Sequence, residues 1–186
     1  MNVYDFDNTI LRGDSSARFF AYCMKHYKKM WLDIPGQIIN GLAYLLRLRP
    51  KLVFKQRMFG FLRLIDNVDK AIEDFWAENF SRIKPWYYEK HKASDVVISA
   101  SPEFLVAPAC KKLGIQFIMG SRVDKRSGKF SGKNCHGEEK VNRFREVFPV
   151  ANIDEFYSDS YSDSPLANLA KKAFLVKGDQ LLPWDK

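Results

Sequence analysis

Cysteine is scarce: Cys23, Cys110 and Cys135 are the three in 186 residues, an odd number without a Cys-x-x-Cys spacing. A disulfide framework is excluded on that count, and a reducing compartment, the cytoplasm, is expected. Histidine is equally rare. His26, His91 and His136 share no ligand spacing, so zinc is not expected. Long apolar runs are missing too. The longest uncharged stretch, Ile34 to Leu46, has 13 residues, short of the ~18–20 that span a bilayer. No basic-then-apolar leader opens the chain, so no signal peptide is expected. Ten glycines and eight prolines are too few for a low-complexity chain, and no internal repeat is visible.

What is present suits a packed domain. Apolar residues make up 46% and charged residues 28%, with fifteen Phe among them. A chain of this length folds without disulfides or structural metal, as one domain or as a core with a modest insertion. The net charge of +8 is unevenly spread. Residues 12–63 hold eleven Lys and Arg against Asp14 and Asp33, a local +9, while the remaining residues sum to −1. Such asymmetry suits an anionic partner, either a substrate phosphate, an acidic membrane face or nucleic acid; a solvated face without a partner is the plain alternative.

Two styles of patterning alternate. Val3 to Asp7 is short and extended. Asp95 to Ser99 is a continuous β-branched run, as in a buried parallel strand. Pro102 suits the first turn of a helix running to Leu113, with Gly114 as its cap. Ile115–Met119 reads as a strand, Arg122–Lys133 as a hairpin, Glu138–Phe148 as a helix and Ile153–Tyr157 as a strand. Ser164-Pro165 opens another helix, and Ala173–Val176 is a last short strand. The alternation predicts an α/β core with a parallel sheet. Between residues 14 and 84 the pattern is helical throughout. Asp14 suits an N-cap for a helix through Lys29, Ile38 to Leu46 has helical spacing, and so has Ala71 to Phe80 after the capping residues Asn67 and Asp69. We therefore divide the chain into a core (1–13 and 85–186) and a helical insertion (14–84).

Four short pieces lie at or beside predicted strand ends, where open α/β sheets bind ligands. Asp5 and Asp7 share a face of an extended strand, and paired carboxylates favour a hard cation such as Mg²⁺ between them. Taken alone, the pair also reads as an acidic surface turn. Ser99-Ala100-Ser101-Pro102 offers hydroxyls and free backbone N–H groups to a phosphate, or is a simple strand–helix turn. Lys140 near a helix start could neutralise phosphate charge, or be an exposed lysine. Asp159 and Asp163, four apart after a strand, could complete a metal site or belong to an Asp/Ser-rich loop.

In order and placement, Asp-x-Asp-x-Thr, strand-Ser, Lys and Asp-x-x-x-Asp resemble the haloacid dehalogenase superfamily over the whole chain. The wording is closest to subfamily IB, the branch holding phosphoserine phosphatase. Ser99-Ala100-Ser101-Pro102, Gly137 to Val141 and Tyr157 to Ser160 are similar to phosphatidylglycerophosphatase C and its relatives. The resemblance implies a Rossmannoid three-layer core with an all-helical type 1 cap inserted after the first strand. It implies a Mg²⁺-dependent phosphomonoester hydrolase working through an aspartyl-phosphate. Asp5 would be the nucleophile and Asp7 the general acid and then base. Asp5, the Asp7 carbonyl and Asp159 would hold Mg²⁺, with Asp163 supporting them and pairing with Lys140. Thr9, Ser99, Ala100 and Lys140 would bind the phosphoryl group.

The sequence departs from phosphoserine phosphatase at two places. Asp14 stands where that enzyme carries the glutamate that recognises its substrate's amino group, and Asp14 equally suits the helix N-cap. The two glycines that flank the first aspartate of its last motif are replaced by Ser158 and Ser160, and the asparagine before the second aspartate by Ser162. Two substrate classes stay open: a small phosphorylated metabolite, and a lipid phosphate met by a protein peripheral at the inner membrane face. The apolar stripe Ile38, Ile39, Leu42, Leu45 and Leu46 lies among the basic residues. Packing inside the cap is our expectation for it, because any cap must bury something; an interfacial location is the alternative. A reading of another class, a non-enzymatic anion binder using the basic segment, makes Asp5 and Asp7 dispensable. Nothing matches a nucleic-acid-binding motif, so no nucleic-acid partner is expected. His136 is read as a loop residue.

Overall fold

The computed structural model describes residues 1–185 and, among them, every side chain but that of Lys51. Six strands run Asn2–Tyr4 (β1), Val96–Pro102 (β2), Phe117–Ser121 (β3), Ile153–Ser158 (β4), Ala170–Lys177 (β5) and Gln180–Pro183 (β6). They form one sheet in the order β3-β2-β1-β4-β5-β6. The first five are parallel; β6 turns back antiparallel on β5. Parallel strands buried on both faces need apolar side chains in both directions. Accordingly Tyr4, Val97 and Tyr157 point to one core cluster, and Val3, Val96, Ile98 and Phe156 to the other. Tyr4 stacks on Tyr157 with ring centroids 4.7 Å apart, and Tyr157 on Phe174 at 5.0 Å, a ladder across three strands.

The helices are Ser15–His26 (α1), Ile34–Leu45 (α2), Lys51–Met58 (α3), Val68–Asn79 (α4), Pro85–Lys90 (α5), Glu103–Lys112 (α6), Glu138–Val147 (α7) and Ser164–Ala167 (α8). Leu105, Val106, Ala109 and Cys110 of α6 belong to the first cluster together with Phe19 of α1 and Ala71, Ile72, Phe75 and Trp76 of α4. Phe144 of α7 and Leu166 of α8 belong to the second. This gives three layers. Trp76 Nε1 donates to the Leu105 carbonyl at 2.7 Å, fixing α4 on α6. All three cysteines are free and buried.

Several expectations need correction. The first strand ends at Tyr4 rather than Asp7, because the chain turns: Ile10 and Leu11 N–H both donate to the Phe6 carbonyl at 2.9 Å. α1 stops at His26, and Lys28–Asp33 forms a 3₁₀ turn. Pro102 closes β2 and caps α6 instead of lying inside the helix. The Arg122–Lys133 hairpin is irregular, reduced to a Val123–Phe130 bridge and flanking bonds. β6 has no counterpart in the sequence reading, and it makes the sheet mixed rather than wholly parallel. The apolar stripe does not pack inward: Ile38, Ile39, Leu42, Leu45 and Leu46 are all exposed. No helix among the described residues is long and apolar enough to cross a membrane.

Candidate active site

The sheet order reverses direction around β1, which β2 and β4 flank. At such a switch point the chain ends diverge and leave a crevice at the strands' C-terminal edge. Asp5 stands there directly after β1, its N–H held by the Tyr157 carbonyl at 2.8 Å. β2 brings Ser99, Ala100 and Ser101 to the same edge, and β4 ends at Ser158 just before Asp159.

Lys140, on the first turn of α7, closes the arrangement. Its side chain is 2% exposed, and Nζ donates to Asp5 Oδ1 and Asp163 Oδ2, both at 2.6 Å. Ser158 Oγ donates to the same Asp163 oxygen at 2.8 Å. Thr9 Oγ1 donates to Asp5 Oδ2 at 3.3 Å and accepts the Asp159 N–H at 2.9 Å, joining the two loops. Asp7 is gripped from two elements: the Ser15 N–H donates to Oδ1 at 2.6 Å, and Ser101 Oγ and Ser99 Oγ, the latter at 3.4 Å, donate to Oδ2. The turn at Phe6, not strand periodicity, therefore brings Asp5 and Asp7 to one cavity.

That cavity measures about 340 Å³ and is lined by five carboxylates, Asp5, Asp7, Asp14, Asp159 and Asp163, against the ammonium groups of Lys55 and Lys140. Burial pushes the Asp5 carboxyl up to about 7, with Lys140 opposing and Asp163 and Asp7 adding to the rise. Burial also raises Asp7, with Asp14 contributing, against the hydrogen bonds from Ser101 and Ser15. Asp159 is raised by burial and by Asp163. Lys140 is raised as well, which for an ammonium favours the charged form: the two carboxylates at 2.6 Å outweigh the opposing effect of burial. A cavity with this excess of carboxylate would repel a phosphate unless a hard cation joined it. No group of three or more His, Cys, Asp or Glu side chains arranged for a metal occurs among the described residues. The donor set that the sequence resemblance implies, Asp5 and Asp159 with the Asp7 backbone carbonyl, contains only two such side chains. Hard oxygen donors of this kind fit Mg²⁺.

A family profile described as haloacid dehalogenase-like hydrolase matches residues 3–168. The chain belongs to this hydrolase family. CicA of Caulobacter vibrioides is 33% identical over 116 residues, 57% of this chain and 52% of that protein; the chain thus spans about half the length of this curated relative. Histidinol-phosphatase of Neisseria meningitidis is 25% identical over 210 residues, covering 95% and 90% of the two chains. A crystal structure of a protein of unknown function from Bordetella pertussis superposes with a TM-score of 0.75 at 19% identity, covering 94% of this chain and 88% of that one.

Within this haloacid dehalogenase-like fold, Asp5, Asp7, Ala100, Lys140, Asp159 and Asp163 all line the cavity. Thr9 lies behind Asp5 and reaches it by its hydroxyl. Ser99 is fully buried and bonded to Asp7 and to the Ser101 N–H, so Ser101 rather than Ser99 faces the cavity. Asp14 lines the cavity and caps α1 through the Ala17 N–H at 2.8 Å. His136 is a loop residue and lines the cavity as well. The sequence reading did not single out Ser101 or Lys55. Ser101 had a signal, since it stands two residues from Ser99 in an extended segment. Lys55 had none: it is one cation among many, and only the packing of α3 brings Nζ to the Ala100 carbonyl at 3.1 Å and Asn134 Oδ1 at 3.0 Å.

Proposed function

We propose that this haloacid dehalogenase-like hydrolase is a Mg²⁺-dependent phosphomonoester hydrolase acting on a small phosphorylated metabolite. The observation that carries the reading is Lys140, buried and bridging Asp5 to Asp163 at the switch point of the sheet. Asp5 attacks the phosphorus, and the P–O bond to the leaving alcohol breaks as Asp7 gives that oxygen its proton. Asp7 then takes a proton from water, which attacks the aspartyl-phosphate and frees Asp5 and inorganic phosphate. Burial, by raising Asp7, helps it hold the proton it must donate. Ser15 and Ser101 keep the carboxyl aimed. Lys140, Thr9, Ser99 and the backbone at Ala100 position the phosphoryl oxygens, Ser99 acting through its bond to the Ser101 N–H. Asp5, the Asp7 carbonyl and Asp159 would hold Mg²⁺, which supplies charge neutralisation when bound; Asp163 supports that shell from behind. Residues 14–84 act as a cap whose α3 residues Phe54, Lys55 and Met58 meet the substrate's leaving group, with Asp14 beside them.

A second reading, a lipid phosphate at the inner membrane face, draws on one observation, the outward-facing apolar residues of α2. The deciding experiment measures phosphate release by the purified chain with Mg²⁺, with EDTA and with Asp5→Asn. The panel holds phosphoserine, histidinol phosphate, sugar phosphates, nucleotides, an aryl phosphate and a lipid phosphate in vesicles. Release requiring both Mg²⁺ and Asp5 supports the hydrolase, and the best substrate chooses between the two classes. Release that persists in Asp5→Asn refutes the assigned nucleophile; a folded protein that binds phosphate and hydrolyses nothing favours the anion-binding reading.

A further inference from the structure

The polarity of α2 is inverted. Ile38, Ile39, Leu42, Leu45 and the following Leu46 share one helix face by their spacing, and that face looks away from the protein, with Ile38 57% and Leu45 76% exposed. The polar residues look inward instead. Asn40 is 1% exposed; its Nδ2 donates to the Phe54 carbonyl at 3.0 Å and its Oδ1 accepts from Arg49. Gln37 Nε2 donates to Asp33 and to the Arg57 carbonyl. Those inward bonds fix the helix in this orientation, so the apolar face cannot turn inward without stranding a buried amide. Trp31 and Leu32 before α2, and Leu48 after it, extend the exposed apolar surface. The same stretch is free of negative charge: from Ile34 to Ile65 the sequence holds six Lys and Arg and no Asp or Glu.

We propose that the outer face of α2, with the turn to α3, docks on the surface of an anionic phospholipid bilayer. An apolar helix face bordered by cations is the pattern that lies in a headgroup layer, the apolar side chains entering the acyl boundary and the cations meeting lipid phosphates. At 12 residues α2 is about 18 Å long, too short to span a bilayer but sufficient to lie along one. Charge complementarity selects this occupant over a second copy of the chain. A two-fold contact would set this basic segment against itself with no carboxylate from 34–65 to answer it. The inference stands on this surface alone and not on the proposed catalytic activity.

The test is flotation of the full chain with vesicles of phosphatidylcholine alone or mixed with phosphatidylglycerol. The comparison proteins are Ile38→Gln/Leu42→Gln/Leu45→Gln and, separately, Arg47→Gln/Arg57→Gln. All five side chains lie on the surface, so thermal unfolding should be unchanged and each variant folded. The expected result is binding to the phosphatidylglycerol vesicles that weakens roughly tenfold in either variant and falls with added salt. Absence of binding by the parent chain overturns the proposal, as does binding that both variants keep. A dimer in solution that the triple variant dissociates, without vesicle binding by the parent chain, assigns the face to a second copy instead.

Discussion

Lys140→Met leaves two buried carboxylates facing each other without the ammonium between them. Asp5 keeps the Thr9 hydroxyl and Asp163 the Ser158 hydroxyl, and their side chains are only 9% and 4% exposed. Removing one member of a buried ionic group costs about 3–5 kcal/mol. For a chain of this size that lowers Tm by about 10 °C, at roughly 2–4 °C per kcal/mol. The loss should depend on pH in one direction. Without Lys140, burial and the neighbouring Asp163 and Asp7 charges hold the Asp5 carboxyl above its unfolded value, so the folded state binds more protons than the unfolded one. Stability is then retained below about pH 4 and lost as pH rises. The window extends through about 7 and beyond, because burial carries Asp5 to about 7 even with Lys140 in place. Urea unfolding followed by circular dichroism, in EDTA at pH 5 and pH 8, measures this. The deficit should be larger at pH 8, and Asp163→Asn added to Lys140→Met should restore part of it. A deficit below about 1 kcal/mol, or one equal at both pH values, would refute the view of Lys140 as the charge that holds this cavity together.

Three further perturbations test other parts of the structure. Gly128 has φ +72°, and a Cβ there would lie 2.2 Å from the Phe59 carbonyl oxygen, so Gly128→Ala should lose about 2–4 kcal/mol in thermal unfolding. Lys84, buried just before α5, donates to the carbonyls of Asn8 and Gly178. Lys84→Met strands both acceptors, and it should cost about 1–3 kcal/mol and lower kcat more than KM by loosening the loop after Asp7. Asp95 is fully buried and burial raises its carboxyl, so the fold favours the protonated form and loses stability as pH climbs past the ordinary carboxylate range. Asp95→Asn removes that penalty, and its Tm should gain on the parent's between pH 4 and pH 8; a constant difference across that range would contradict the assignment.

The core was legible because its signals are local. A β-branched run such as Val96-Val97-Ile98 can bury only in a sheet, and Asp5, Lys140 and Asp159 stand next to element ends that the sequence marks. The failures sit where a backbone turn or a distant partner decides. Asp5 and Asp7 meet through bonds to the Phe6 carbonyl, which no side-chain pattern encodes. Ser99 and Ser101 look equivalent in sequence and both hydroxyls reach Asp7, yet Ser101 lines the cavity and Ser99 does not. Lys55 becomes a cavity residue only through the packing of α3.

α2 shows a different limit. Periodicity locates an apolar face on a helix but not what that face meets. The bury-inward rule assumes water outside, and under it the stripe Ile38 to Leu46 belongs inside the helical segment. What overrules it is Asn40. One amide with two committed partners, the Phe54 carbonyl and Arg49, fixes which side of α2 faces α3. An apolar stripe whose opposite face carries a buried, fully bonded polar residue is held outward by that residue. Asn40→Leu should therefore weaken the α2–α3 pairing more than Leu42→Gln on the outer face does, although by composition alone the first would strengthen a core and the second would damage one. Hydrogen exchange of the α2 amides checks the order: faster exchange in Asn40→Leu and parent-like exchange in Leu42→Gln is the expected result, and the reverse would return the stripe to the interior.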